Sequence, residues 1–295
     1  MSEYVLYTAP ILAGTQANWA LMATLVVQVY TFYTRFQNER RWIKMLVYTV
    51  FPLELAQTGV SSHYAYWVLA LGWGNTTALE ILPWSCLATP IFTGITAALV
   101  QIFFAWLIYL LMRKTVWACV VTAVIVLLAL TQGVTILFVV AQFAHATAFA
   151  NVMRIKVGVQ SWLIVAVVCD VFITTTLIII FYQYRMQMPL EERRTDTFMV
   201  KLMLHTVETG AVTSVTALIY LVVFLLYPQY NIEETPTFIL GKLYANVLLF
   251  TLNVRRFWPN HMTAAQHEVG TFTSVYATYP TDTGSDCIEL RSREL

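Results

Sequence analysis

Charge is scarce in this sequence. Of 295 residues only 11% are Asp, Glu, Lys or Arg, while 59% are hydrophobic. A soluble domain carries roughly 25% charged residues. A soluble core cannot absorb that deficit, so the bilayer must cover the missing polar surface. The net charge of +1 lacks the excess that a nucleic-acid partner would require. Cysteine is sparse too. Cys86, Cys119, Cys169 and Cys287 are scattered, with neither metal-ligand spacing nor a disulfide framework. The start, Met1-Ser2-Glu3-Tyr4, lacks the basic region of a signal peptide. The first apolar run is also too long for one, so it is expected to remain as a helix.

What is abundant is apolar run length. A helical span needs about 20 mostly apolar residues. Seven such stretches are expected, near 11–33, 44–66, 86–112, 116–140, 159–183, 202–227 and 237–254. The second is the weakest, because Glu54, Gln57, Ser61, Ser62 and His63 dilute it; the third, fourth and sixth are plain. The fold class is therefore all-α, a polytopic seven-transmembrane-helix bundle over residues 1–256. Residues 257–295, rich in Thr, Ser, Glu and Asp without apolar periodicity, are expected to form a disordered cytosolic tail.

The loops orient the bundle, since cytoplasmic loops collect Lys and Arg. One set holds Arg35, Arg40, Arg41, Lys44, Arg113, Lys114, Arg185, Arg193, Arg194, Lys201, Arg255 and Arg256. The opposite set holds only Arg154, Lys156 and Lys242. Twelve against three places the N-terminus outside and the C-terminus in the cytosol. Asn75-Thr76-Thr77, a possible glycosylation site at Asn75, then falls in an outer loop.

Ionisable side chains within hydrocarbon cost several kcal/mol and usually face the bundle interior. Glu54 lies near the middle of the second span and Asp170 near the middle of the fifth. Glu208 lies nearly two turns into the sixth, Gln101 is in the third, and Asn246 and Asn253 share one face of the seventh. Glu54, Gln101, Asp170, Glu208 and Asn246 form the candidate intramembrane polar site. The spacing offers no cation at the midplane for Glu54 or Asp170. Each is expected to be protonated, hydrogen-bonded or hydrated. Interhelical packing is the competing role for these groups. Lys242 sits about four residues inside the outer end of its span and is expected to snorkel to the interface. With no carboxylate in the third span as counter-ion, a retinal Schiff base at Lys242 is not expected, and no cofactor is expected.

Histidine is limited to His63, His145, His205, His261 and His267, too dispersed for the zinc site of a membrane hydrolase. No nucleophile elbow or phosphate-cradling loop occurs, so no enzyme and no metal site are expected. G-protein-coupled receptors share the topology but not the local marks. The third span ends Tyr109-Leu110-Leu111-Met112-Arg113-Lys114, and the seventh reads Asn246-Val247-Leu248-Leu249-Phe250. Topology alone is analogy at fold level.

Several clusters are more specific. They include Trp42-x-Lys44, the acid Glu54 with His63, Val100-Gln101-x-Phe103-Phe104-Ala105 and Asp170-Val171-x-Ile173. The C-terminal half adds Arg193-Arg194-Thr195-Asp196 and Thr209-Gly210-x-x-Thr213-Ser214. It closes on Leu243-Tyr244-x-Asn246-x-Leu248-Leu249-x-Thr251-Leu252-Asn253-x-Arg255. With these the chain resembles seven-helix integral membrane proteins of mushroom-forming fungi whose C-terminal part, here about 160–256, is a domain of unknown function. It departs from them at Trp106-Leu107-Ile108-Tyr109, where basic and aromatic residues are usual, and at Glu208, where Asn is common. The resemblance implies the seven-helix fold and assigns no activity. Physically, Gly210 with Ser214 is a small-xxx-small pair that permits close helix approach.

The expectation is a multi-pass protein of the plasma membrane or an endomembrane, a receptor or sensor. The alternative is a carrier of small molecules, protons or lipids using the midplane polar residues. Its partners would be the bilayer and a small-molecule or lipid ligand, with no nucleic acid.

Overall fold

A computed structural model describes residues 4–72, 83–112, 115–144, 149–187, 197–226 and 231–254. Among these residues there are seven α-helices and no strand. They are α1 (Tyr4–Arg35), α2 (Arg41–Tyr66), α3 (Trp84–Leu111), α4 (Val116–Ala144), α5 (Phe149–Gln187), α6 (Thr197–Leu226) and α7 (Glu234–Val254). A π-helical stretch, Trp67–Leu71, continues α2, and a 3-10 turn, Asn231–Glu233, leads into α7. Helix is the expected form, because hydrocarbon offers no partner for an unpaired peptide group.

Among the described residues five helices are long and apolar enough to cross a membrane: α1, α3, α4, α5 and α7. α2 falls short for the reason legible in its sequence, its polar residues. α6, expected to be plain, is continuously apolar only over Gly210–Leu226 within its described part. α5 is longer than its apolar run. It begins at Phe149, inside the stretch 141–158 expected to be a loop, and α4 extends into the same stretch as far as Ala144.

The helices pack in chain order and the ring closes between α7 and α1, with α3 and α7 also touching each other. Burial follows that placement. Of the α7 span 78% is buried, against 22% of α4. The exterior carries Val27, Leu127, Val134, Leu137, Phe138, Val171, Ile178 and Leu218, an apolar face suited to lipid. Threonines on that exterior, such as Thr31, Thr131 and Thr216, return their hydroxyl protons to the carbonyl four residues back. Each helix thereby satisfies its own polar side chain. Exposed Tyr30, Tyr33, Trp42, Tyr48, Trp117 and Tyr182 gather toward one set of helix ends. Tyr66 and Trp84 lie toward the other. Interfacial aromatic belts have this distribution.

α1 and α7 run parallel in a fixed register. Thr235 donates to Pro10 O at 2.8 Å, Asn246 to Leu21 O at 3.1 Å and Asn253 to Gln28 O at 2.9 Å. Each pair is 225 residues apart. Steps of 7 and 11 residues return a helix to nearly the same face, so one edge of α7 is stitched along α1. Parallel first and seventh helices are the arrangement that seven alternating spans require. α5 and α6 meet at the small-residue pair read from sequence. A Cβ on Gly210 would lie 3.1 Å from Thr174 Oγ1, and Thr174 contacts Ser214 Oγ at 3.1 Å.

Candidate functional site

Two polar clusters flank α7 inside the bundle. The first joins α1, α2, α3 and α7. Lys242 Nζ lies 2.6 Å from Glu54 Oε2 and 2.7 Å from the Glu54 carbonyl, and it also donates to Gln57 Oε1. All three ammonium protons are used. Thr96 donates to Glu54 Oε1 at 2.7 Å. Asn18 donates to Phe238 O at 2.8 Å, and Gln57 Nε2 donates to the same carbonyl at 3.2 Å. Asn18, Glu54, Gln57, Ser61, Thr96 and Lys242 are all fully buried. Gly241 makes room for the pair, since a Cβ there would stand 3.1 Å from Glu54 Oε1.

This corrects two expectations. Glu54 does have a cationic partner, and Lys242 does not snorkel. α7 starts at Glu234, earlier than hydropathy indicated, so Lys242 is more than two turns inside the helix. It faces α2, where a carboxylate and two carbonyl-type oxygens compensate the cost of burying the ammonium.

The second cluster lies on the other flank of α7 and joins α3, α4, α5 and α7. Asp170 accepts from Gln101 Nε2 at 2.9 Å and from the Tyr244 hydroxyl. Gln101 Nε2 also reaches Gln132 Oε1 at 3.4 Å. No Lys, Arg or His stands among these contacts. Beside Asp170 is a cavity of about 20 Å³, lined by polar Gln101, Thr174, Thr213 and Tyr244 together with Val100, Phe104, Ile173, Leu177, Gly210 and Val247. That is room for roughly one water.

The five candidate residues therefore do not share one pocket. Gln101 and Asp170 meet directly. Glu54 belongs to the other flank of α7. Asn246 points to α1, bonding Leu21 O and Thr24, and serves helix packing. Glu208 is exposed on α6 and does not line the cavity. Asn75 and the 257–295 tail lie outside the described residues. Sequence reasoning missed Lys242, Tyr244, Gln132 and Asn18 as site members. The available signal was the polar residues that interrupt the apolar run of α7, Lys242 and Tyr244 among them. A polar side chain inside a span must find a partner.

Residues 166–257 match the model of a protein family of unknown function, DUF6534. The match runs from within α5 to the end of α7 and takes in Asp170, Lys242 and Tyr244. Glu54 and Gln101 lie outside it. No curated protein and no solved structure matches the chain.

Proposed function

We propose that the protein is a seven-span receptor or sensor, N-terminus outside and C-terminus cytosolic, in the plasma membrane or an endomembrane, with α7 as its switching helix. One observation carries this reading. Lys242 and Tyr244 are two residues apart, hence roughly 200° apart around α7, and each holds a buried acid on a different helix. α7 is thus clamped between Glu54 on α2 and Asp170 on α5. In this reading rotation or sliding of α7 breaks both bonds, which would make α7 the two-state element a sensor needs. A small molecule or lipid that binds the clamped and the released arrangement unequally would shift the population.

The carrier reading draws on the cavity at Asp170. That cavity admits about one water, however, and Glu54 and Glu208 stand outside it, so no chain of acids threads the described bundle. The sensor reading assigns the protein no catalytic reaction.

Spin labels at Met45 on α2 and Val254 on α7, in an otherwise cysteine-free protein in nanodiscs, test the proposal. The expected distance distribution has two components whose ratio changes in Tyr244→Phe. A single component unchanged by Tyr244→Phe and Lys242→Met would sink the switching role. Solute or proton flux in proteoliposomes that disappears in Asp170→Asn would establish the carrier instead.

A further inference from the structure

The turn between α1 and α2 gathers charge of one sign. Residues 35–44 carry Arg35, Arg40, Arg41 and Lys44 against a single acid, Glu39. The turn is firmly held. Phe36 is buried and stacks on Phe32, with ring centroids 5.2 Å apart. Glu39 Oε1 accepts from the Arg40 amide at 3.3 Å, and Lys44 Nζ donates to Gln37 O. Ile43 is buried, and Trp42 packs edge-on against Trp106 of α3 at 4.5 Å. Arg40 and Arg41 stay exposed on this scaffold, and among the described residues neither is in an ion pair. Both stand at the start of α2, whose first turn has no acid. Cations there oppose the helix dipole, a local cost that a bound anion removes.

The face of α2 that follows Arg41 has the opposite character. Arg41, Met45, Tyr48, Pro52 and Leu55 recur at steps of four and three residues, so they form one stripe along the helix. All five are exposed, and the last four carry no charge. The stripe runs for roughly 20 Å. A cation followed by that length of mostly apolar surface matches the outline of a phospholipid better than that of a soluble anion. Tyr30 and Tyr33 on α1 are exposed near the same end. Such rings settle at headgroup level, which sets Arg40 and Arg41 at the depth of lipid phosphates. Two neighbouring guanidinium groups suit a phosphomonoester, with its charge of about −1.5 to −2 at pH 7 and three acceptor oxygens. A phosphodiester offers them a single charge.

We propose that the α1–α2 turn binds one phospholipid whose headgroup is a phosphomonoester, its phosphate on Arg40 and Arg41 and one acyl chain along Met45, Tyr48, Pro52 and Leu55. The general attraction of basic loops to an anionic leaflet acts on every cation alike. This site instead needs the arginine pair and the apolar path beside it. It depends neither on α7 acting as a switch nor on which end of the chain faces the cytosol.

The test is native mass spectrometry of the full-length protein released from detergent micelles. The protein is titrated in turn with phosphatidate, with phosphatidylserine of the same acyl chains and with glycerol phosphate. One phosphatidate per chain is expected, retained at several-fold lower concentration than phosphatidylserine, with no retention of glycerol phosphate. Arg40→Gln and Arg41→Gln together should weaken phosphatidate retention about 30-fold, and either one alone about fivefold, with melting curves showing that the variants fold. Leu55→Asn, on the acyl path, should weaken it several-fold. Arg113→Gln with Lys114→Gln removes an equal charge from another basic loop and should leave retention unchanged. The proposal is overturned if phosphatidate is retained no better than phosphatidylserine, or if glycerol phosphate competes as well as the lipid. It is equally overturned if the folded arginine variants retain phosphatidate like wild type, or if the Arg113 and Lys114 variant loses it to the same extent.

Discussion

Replacing Lys242 by Met removes the ammonium and keeps most of the side-chain volume. Glu54 Oε2 then loses its partner, and Glu54 Oε1 retains only Thr96. Breaking a buried pair from one side costs about 3–5 kcal/mol, because the remaining charge is stranded. Lys242→Met should therefore lose about 3–5 kcal/mol at pH 7. Adding Glu54→Gln to Lys242→Met removes the stranded charge and should recover most of the loss at every pH. Reversible unfolding in mixed micelles, followed by far-UV circular dichroism, measures all four corners of the cycle. A Lys242→Met cost below about 1 kcal/mol at pH 7, or a double variant no more stable than the single, would refute the burial argument.

Tyr244→Phe removes a hydrogen bond to a carboxylate and should cost about 1.5–3 kcal/mol by the same unfolding measurement. Gly241→Ala places a methyl group 3.1 Å from Glu54 Oε1 and 3.3 Å from Thr93 Oγ1, so about 1–3 kcal/mol is expected from overpacking. Gly59→Ala meets nothing within 4 Å and should be neutral or stabilising by up to about 1 kcal/mol; equal costs for the two glycines would contradict the close approach assigned to Gly241. Asn253→Leu breaks one interhelical bond to Gln28 O and should cost only about 0.6 kcal/mol. For orientation, an N-terminal epitope should be reached by antibody on intact cells and a C-terminal one only after permeabilisation. The opposite pattern would overturn the charge-sidedness reading.

Periodicity and length carried the seven helices, because apolar runs of span length have few alternatives in lipid. The same runs misplaced their ends. α5 and α7 extend beyond their apolar cores, since a helix continues wherever backbone bonding is undisturbed and hydropathy reports only the part suited to hydrocarbon. The weak second span was legible as weak for a definite reason. Glu54, Gln57, Thr58 and Ser61 lower its hydropathy and are the residues it buries against α1, α3 and α7. Gly210 with Ser214 was readable as a packing pair, and Asn246 with Asn253 as sharing one face, because spacing sets a shared face within one helix; that Asn246 serves packing against α1 was not readable.

Partnership between helices was not readable that way. Glu54 and Lys242 are 188 residues apart, and nothing in either neighbourhood names the other. Hydropathy ranks a lysine near a helix end as a snorkelling residue, and only the position of α2 against α7 turns it inward. The charge count over the loops likewise says on which side cations collect and nothing about which acids inside the bundle meet one. Sequence alone determined the helical fold class, the number of helices and the acids placed within them, because these depend on local composition. Tertiary structure decided that Glu54 is paired, that Asp170 meets Gln101 and Tyr244 beside a cavity, and that Asn246 and Glu208 stand apart. Those facts depend on which helix faces which, a property that no single helix encodes.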